Sequence, residues 1–483
     1  MQTSSTKPVQ LNPVQINELK TRLLFGNYEV LVTKLDTPYS LNSSARHADL
    51  KSPTLTLSDA IAIIVGIVIG AGIFETPALV AANSGNGFIV LLTWVIGGAV
   101  SFVGALCYAE LATTYPHVGG NYEYLKRAFG QNVAFLFAWA RMTVIQTGSI
   151  ALLAFIFGDY ASQLFSLGSG SSSIYAVGAI ALLTSFNIIG IRQGKRIQNG
   201  LTVITILGLV TITILGLLLG RPSPQLAAPI VASSNWGSAM LFVLLSYGGW
   251  NEAAYISAEI QRPQRNIVRS LLWSIGIITA LYVLINAAFL RGLGVSGMAQ
   301  SQAIAADLMR QILGEPGAVL ISALIAMTAL GSLNASIFTG ARTNYAFGQD
   351  VALFNFLGRW RSQAGTPMTG FLVQGAIALL LVFMGTFTRN GFEAMVDYTA
   401  PVFWFFFLLS GISLVLLRMK DPHRLRPFRV PFYPVTPLLF CAVCSYLLYS
   451  SLVYTGLGAS VGIIVVALGI PFLYWSRIQH RRS

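Results

Sequence analysis

Charged residues are scarce in this chain of 483 residues, of which 10% are Asp, Glu, Lys or Arg and 54% are hydrophobic. Soluble domains carry about 25% charged residues, so a chain this poor in charge cannot cover a water-facing surface. A mean hydropathy of +0.68 agrees with that conclusion. The composition therefore excludes an ordinary soluble protein and predicts that lipid surrounds most of the chain.

The sequence also lacks the patterns of several enzyme classes. None of its four histidines lies within an apolar run, and it has neither an HExxH pattern nor a phosphate-binding loop. Cys107, Cys441 and Cys444 lie inside apolar runs without the spacing of a metal site. We therefore expect no enzyme, no cofactor and no disulfide framework.

Long apolar runs dominate what is present. A membrane-spanning helix takes about 20 apolar residues. Twelve runs qualify, and we number them as spans: 58–82, 88–113, 131–165, 174–191, 196–219, 235–259, 268–291, 317–345, 370–387, 392–418, 434–456 and 458–476. This pattern predicts an all-α polytopic membrane protein with twelve transmembrane helices, preceded by an N-terminal arm of residues 1–57.

Basic residues are distributed unevenly among the connections. The arm and the connections after spans 2, 4, 6, 8 and 10 carry most of them, whereas those after spans 1, 3 and 11 contain no Lys or Arg. Basic connections mark the cytoplasmic side of a membrane, so both termini are predicted to be cytoplasmic, in the cell (inner or plasma) membrane. Because this asymmetry explains the net charge of +13, we expect no nucleic-acid partner.

Glycines interrupt two of the spans. Span 1 contains Gly66, Gly70 and Gly72, and span 6 contains Gly248 and Gly249. Glycine weakens a helix, and an unwound stretch frees backbone N–H and C=O groups that lipid cannot satisfy. A polar solute can satisfy them, because helix N-termini favour carboxylates and freed carbonyls favour ammonium groups or Na⁺.

The two interrupted spans are five helices apart. They would be the first helices of a five-plus-five inverted repeat, where matched interruptions indicate a transport site. This predicts a first repeat over 58–230, a second over 231–430, and helices 11 and 12 with a cytoplasmic tail over 431–483. A single small-xxx-small pattern such as Gly66/Gly70 would instead indicate close helix packing.

These residues resemble the amino acid–polyamine–organocation (APC) superfamily, particularly its L-type amino acid transporter branch. The resemblance rests on Gly70-Ala-Gly-Ile-Phe74, on Tyr247-Gly-Gly-Trp-Asn251 and on Glu259-Ile-Gln-Arg-Pro263-Gln-Arg-Asn266, and it covers about residues 55–475. It implies a leucine-transporter-type fold. It also implies a secondary amino acid transporter working by alternating access, as an exchanger or a cation-coupled symporter, with neutral substrates expected.

The resemblance further implies which residues bind the substrate. The backbone N–H groups of Ala71 and Gly72 would hold the α-carboxylate, and carbonyls of both breaks would hold the α-amine. Leu245 stands where the family often has a gating aromatic residue. The predicted substrate-binding residues are Val68, Ile69, Gly70, Ala71, Gly72, Leu245, Ser246, Gly248, Trp250 and Asn251.

A second predicted site concerns ion coupling. Many relatives carry a lysine in span 5, where related transporters bind a coupling Na⁺, and Thr205 stands at that position here. The site would then be neutral, formed by the carbonyls of Gly66 and Ile69 and the hydroxyls of Thr205 and Ser332. Either Na⁺ occupies it, since hard cations prefer oxygen ligands, or coupling runs through another group.

Several carboxylates lie within the spans, where charge is costly. Glu252 follows the second break and is either a proton- or cation-coupling group or a residue facing a water-filled vestibule. If it faces the cavity, cationic amino acids or polyamines become the better expectation. Glu110 is expected to pair with basic loops, Glu75 to face the outer vestibule, and Asp159 and Asp397 to lie near outer ends where water reaches them.

Partners and alternatives complete the expectations. Eukaryotic L-type members often bind a glycoprotein through a cysteine between spans 3 and 4, but residues 166–173 contain none. The expected partners are therefore an amino acid and the lipid bilayer, without a disulfide-linked subunit. An alternative of another class is an amino-acid sensor on the same fold that binds its ligand without moving it across the membrane.

Overall fold

The structure is a computed structural model that describes residues 55–117, 119–189, 195–221, 235–252, 260–359, 366–388, 390–455 and 457–480. Within these ranges the chain is all-helical and forms no strand; its one isolated parallel bridge pairs Leu55 with Ile260. Almost all of the predicted N-terminal arm lies outside the described residues.

The described residues form seventeen α-helices, numbered here in chain order. Helices α1 to α9 are Leu57–Val68, Thr76–Ser84, Gly87–Thr114, Asn121–Phe129, Gln131–Ala140, Gln146–Leu164, Ser171–Ile189, Lys195–Leu219 and Trp236–Ser246. Helices α10 to α17 are Pro263–Gln300, Ile304–Leu313, Glu315–Asp350, Met368–Thr386, Gly391–Lys420, Val435–Thr455, Leu457–Ala467 and Gly469–His480. A π-helical turn joins α5 to α6, so these two form one continuous rod.

Nine helical rods among the described residues are long and apolar enough to cross a membrane. Three shorter apolar helices accompany them: Leu57–Val68, Val203–Leu219 and Trp236–Ser246. The first and last of these belong to spans 1 and 6, which the structure divides at their glycines. The fold is thus a polytopic helical membrane protein, and the count of twelve spans stays a prediction.

Two helices lie where the sequence predicted connections only. Helices α4 and α11 have nine and ten residues, too few to cross a membrane, and both carry charged residues in their first and last turns. Helix α10 also continues to Gln300, past the predicted end at 291, with a kink at Gly294 (φ 67°, ψ 171°). A search for long apolar runs detects neither short amphipathic helices nor polar extensions of a spanning helix.

The packing places the interrupted helices inside the bundle. Helix α1 packs against α10, and α2 packs against both α9 and α10, while α6 packs against α7, α12 and α14. Small residues allow close approaches. At Gly104 of α3, a Cβ atom would lie 2.7 Å from the rings of both Phe440 and Trp250. Glycine at such contacts is the usual means by which membrane helices pack closely.

A buried ion cluster joins the end of α3 to the end of α14. Arg418 donates from Nε to Glu110 Oε1 at 2.7 Å and from Nη2 to Oε2, and the backbone N–H of Val430 donates to Oε2 at 2.6 Å. The Nε atom of Arg426 lies 3.6 Å from Oε1. The expectation that Glu110 pairs with basic residues is confirmed, and the contacts satisfy a carboxylate that is only 3% exposed.

We predict that Glu110→Gln destabilises the protein, because it leaves the half-buried guanidinium groups of Arg418 and Arg426 without their buried anion. Breaking such a pair costs about 3–5 kcal/mol. Thermal unfolding of the purified protein in detergent measures the effect. The matched control is Glu123→Gln, which removes the more exposed pair with Arg127, worth about 0–1 kcal/mol. Equal shifts of Tm for the two variants would contradict a stabilising role for the cluster.

Candidate functional site

The first break lies between α1 and α2. Helix α1 ends at Val68, and the backbone of Ile69 (φ −76°, ψ 71°) and Gly70 (φ −96°, ψ −167°) leaves the helical region. A single 3₁₀ turn, Ala71–Phe74, then leads into α2, which has a proline in its first turn. The structure therefore interrupts this helix at the glycine cluster from which the sequence predicts an interruption.

The second break follows α9. Helix α9 ends at Ser246, and the backbone N–H of Gly248 turns back to donate to Leu245 O at 3.0 Å. Gly249 has φ +110°, a conformation that residues with a side chain rarely adopt. A 3₁₀ turn, Trp250–Glu252, comes next. The side chain of Glu252 lies outside the described part of the structure, so its predicted coupling role stays a prediction.

The two breaks lie against each other. A Cβ atom on Gly249 would lie 2.9 Å from Ile67 Cγ2, and one on Gly72 would lie 3.8 Å from Ser246 Oγ. Thr76 Oγ1 donates to Gly72 O at 3.0 Å and also forms a short hydrogen bond with Ser246 Oγ. These contacts bring Gly72 of the first break to Ser246 of the second, two of the residues that the sequence assigns to one substrate site.

Tyr282 of α10 bridges the two breaks. Its hydroxyl group lies 2.9 Å from Val68 O and 3.0 Å from Ser246 O, so that its one proton is shared between the two carbonyls. The ring is fully buried between Trp94 and Tyr247, with ring centroids 5.4 and 5.1 Å away. Sequence analysis did not assign Tyr282 to the site. A phenol within an otherwise apolar run was the only available signal.

The backbone groups at the first break differ in how far they are satisfied. Val68 O accepts hydrogen bonds from both Gly70 N, at 2.8 Å, and Tyr282 Oη. Ala71 and Gly72 are the first two residues of the 3₁₀ turn. Their N–H groups therefore have no earlier carbonyl within the turn with which to form a hydrogen bond. The break therefore presents N–H donors suited to a carboxylate, as at other helix N-termini.

The remaining predicted substrate residues divide into two groups. Ser246 and Asn251 are buried at the break, and Leu245 is half-buried. The ring of Trp250 instead packs into an aromatic cluster, 5.2 Å from Tyr108 and 5.6 Å from Phe407 between centroids. Beside it lies a small, mostly apolar cavity, lined by Val100, Ser101, Leu244, Gly248, Trp250, Phe403, Trp404, Phe407 and Phe440.

The two hydroxyl residues of the predicted ion site meet at α12, which Thr205 of α8 contacts and to which Ser332 belongs. Thr205 is buried and hydrogen-bonds Thr328 at 2.8 Å between hydroxyl oxygens, while Ser332 Oγ lies 3.6 Å from where a Cβ of Gly70 would be. Thr328 and Ser332 are one turn apart and share a face of the helix. Gly66, one turn before Gly70, lies in α1. Thr328, which the sequence did not indicate, thus lies between Thr205 and Ser332, and Ser332 lies next to Gly70 at the break.

Two interrupted helices whose breaks meet inside an apolar bundle are typical of secondary transporters with discontinuous helices. Residues 55–473 match the family described as "Amino acid permease". The chain belongs to this amino acid permease family and is an integral membrane protein that transports amino acids. The match covers the described helical bundle from its first residue to α17.

Three relatives illustrate the family. The serine/threonine exchanger SteT of Bacillus subtilis (strain 168) is 26% identical over 419 residues, which are 86% of this chain and 94% of that protein. The human b(0,+)-type amino acid transporter 1 is 28% identical over 83% of this chain and 82% of its own length. The mouse large neutral amino acids transporter small subunit 2 is 30% identical over 88% and 81%.

We predict that Gly249→Ala impairs both stability and transport, because a side chain is strained at this φ and collides with Ile67. Such strain costs about 1–3 kcal/mol. Thermal unfolding and uptake by proteoliposomes measure the two effects. The matched control is Gly276→Ala in α10, where a Cβ meets no atom within 4 Å and where alanine favours the helix. A Gly249→Ala variant as active as this control would refute the close contact between the breaks.

Proposed function

We propose that this protein is a secondary transporter of neutral amino acids that works by alternating access. The observation that carries the proposal is the direct contact between the two breaks through Tyr282, Thr76 and Ser246. Freed backbone groups of opposite polarity then lie a few ångströms apart, which suits an α-carboxylate and an α-amine on the same carbon. One helical group rocks against the rest to expose this site to either side.

The hydrogen bonds present suggest how each charge of the substrate is held. The α-carboxylate accepts from the N–H groups of Ala71 and Gly72. Val68 O already accepts two hydrogen bonds, which is the capacity of a carbonyl oxygen. The α-amine is therefore better served by the carbonyls of Ile69 and Gly248, or by displacing the Tyr282 hydroxyl from Val68.

We propose the full architecture of twelve spans, with spans 1–5 and 6–10 as inverted repeats. Two observations support it. The interrupted helices are the first of each half, and the helical pieces on either side of a break are each too short to count as a membrane span. Cytoplasmic termini and residence in the cell membrane are part of the same proposal. The distribution of Lys and Arg among the connections supports the orientation of the termini.

Neutral substrates are favoured because the described side chains that join the two breaks, those of Thr76, Ser246 and Tyr282, are uncharged hydroxyl groups. The alternative of cationic amino acids or polyamines depends on where Glu252 points. A sensor that binds but does not transport is the alternative of another class. The three relatives are named as an exchanger or as transporters, which favours transport, and the first of them favours exchange.

Uptake of a panel of labelled amino acids by proteoliposomes, with and without unlabelled amino acid inside, tests this function. We predict uptake of neutral amino acids, and a dependence on internal amino acid identifies exchange. Gly72→Ala should raise KM, because its methyl group crowds the carboxylate donors. Its Tm should change little, since the added Cβ meets only Ser246 Oγ at 3.8 Å. Binding without any transport would support the sensor.

The coupling ion requires a separate test. If Na⁺ occupies the site of Gly66, Ile69, Thr205 and Ser332, replacing Na⁺ by choline abolishes accumulation. Thr205→Val should then raise the Na⁺ concentration for half-maximal uptake, because it removes a hydroxyl oxygen. Thr339→Val, on the exposed face of α12, is the matched control. Unchanged uptake in choline would exclude Na⁺ coupling.

We propose that no disulfide-linked subunit accompanies this chain. Cys107 and Cys444 are buried and Cys441 is half-buried. These thiols lie within α3 and α15. A partner's cysteine outside the membrane could not reach them.

A further inference from the structure

A group of carboxylates lies beside the first break, and the amino acid site described above does not use it. Glu75 directly follows the 3₁₀ turn, Asp159 lies near the end of α6, and Glu393 lies in the first turn of α14. Helix α6 packs against both the 3₁₀ turn and α14. The hydroxyl of Tyr160, the residue after Asp159, donates at 2.7 Å to the carbonyl oxygen of Phe74, the residue before Glu75.

The sequence suggested that Glu75 faces the outer vestibule, but the structure buries this side chain. It is 8% exposed, and its Oε2 atom has no hydrogen-bond partner in the described part of the chain. The ion pairs formed by described residues include neither Glu75 nor Asp159 nor Glu393. A carboxylate buried in this way, with no ion-pair partner among the described residues, is costly in a membrane protein and usually functional.

The groups around Glu75 add negative charge. Asp159 and Glu393 both act on it electrostatically. Asp397, one helical turn after Glu393, has a buried Oδ1 atom that lacks a hydrogen-bond partner among described residues. Other groups interact with these in turn: Tyr160 of α6 with Glu75, Asp159 and Asp307, and Tyr454 of α15 with Glu393 and Asp397, while Arg310 of α11 is paired with Asp307.

The geometry limits what can bind there. Among the described residues, no three carboxylate, histidine or cysteine side chains converge closely enough to hold a metal ion. Neither the cavity beside Trp250 nor the pocket at Glu110 is lined by Glu75. A proton needs no space, and it removes the charge.

We propose that Glu75 is the proton-binding residue of this transporter and that it couples proton entry to amino acid entry. The inference rests on the proposed function and names its coupling ion. When the site is open to water on the side opposite the termini, the carboxylate takes a proton and forms an O–H bond. The neutral acid is then buried with the substrate, and the proton leaves to water on the other side.

The position of Glu75 explains why the two ligands would bind together. It lies three residues after Gly72, about 6 Å along a 3₁₀ turn that rises about 2 Å per residue. An ionised Glu75 would repel the α-carboxylate of the substrate held at Ala71 and Gly72. At this distance in a partly screened interior, the repulsion weakens substrate binding by about a hundredfold. Protonation of Glu75 removes that penalty.

Two measurements on purified protein test the proposal. Infrared spectroscopy of the substrate-free wild-type protein should show the band of a protonated carboxyl group appear as the pH is lowered, and Glu75→Gln should lack it; this readout needs no substrate. Calorimetry at a pH above that transition, in buffers of different ionisation enthalpy, should show uptake of about one proton when the best neutral amino acid of the panel binds. Glu75→Gln should bind without proton uptake, with an affinity that no longer falls as pH rises.

The control is Glu123→Gln, a carboxyl removed from the far end of the bundle, which should leave substrate binding within about twofold of the wild type. A wild-type protein without the infrared band would overturn the proposal, as would a Glu75→Gln variant that still takes up a proton. A selective loss of lysine binding in Glu75→Gln would overturn it in favour of an organic-cation site. If the panel shows no transport while the band is present, the proposed function fails and the proton site stands.

Discussion

Unpaired backbone groups inside an apolar bundle are the constraint on which the rest of this structure depends. Two helices stop and restart within the bundle, and lipid cannot satisfy the N–H and C=O groups that are released there. The protein satisfies part of them internally, through the Tyr282 hydroxyl and the turn from Gly248 to Leu245. We propose that the groups that are left, at Ala71 and Gly72, bind the carboxylate of an amino acid.

The parts around the breaks differ in how firmly they are built. On one side, Trp94, Tyr247 and Tyr282 form a packed aromatic cluster, and Tyr247 also donates to Trp94 O at 3.0 Å. Where α3 and α14 end, Glu110 holds Arg418 through two charge-assisted hydrogen bonds, which are among the stronger ones in proteins. The breaks themselves rest on single hydrogen bonds and glycine backbone. Such a contrast is what alternating access requires, since a movable site must work against a fixed scaffold.

Sequence alone indicated the helical membrane class, the positions of both breaks and the pairing of Glu110. These features depend on local composition: apolar runs, clustered glycines, and a carboxylate near basic residues. Tyr282 and Thr328 were not assigned to their sites, because contacts between distant helices leave no pattern along the chain. Trp250 lies in the predicted motif, yet its ring packs among aromatic residues. Glu75 was expected to be hydrated. Its burial was missed because the residues next to it in the sequence do not reveal that α6 and α14 lie close to it.

The central claim is that one amino acid bridges the two breaks. A structure of the protein determined by electron cryomicroscopy with its transported amino acid tests this claim most directly. The account predicts the α-carboxylate within hydrogen-bond distance of the N–H groups of Ala71 and Gly72, and the α-amine at carbonyls of Ile69 and Gly248 or at Val68. An amino acid bound elsewhere, with Tyr282 still joining Val68 to Ser246 and no ligand at the breaks, would contradict it.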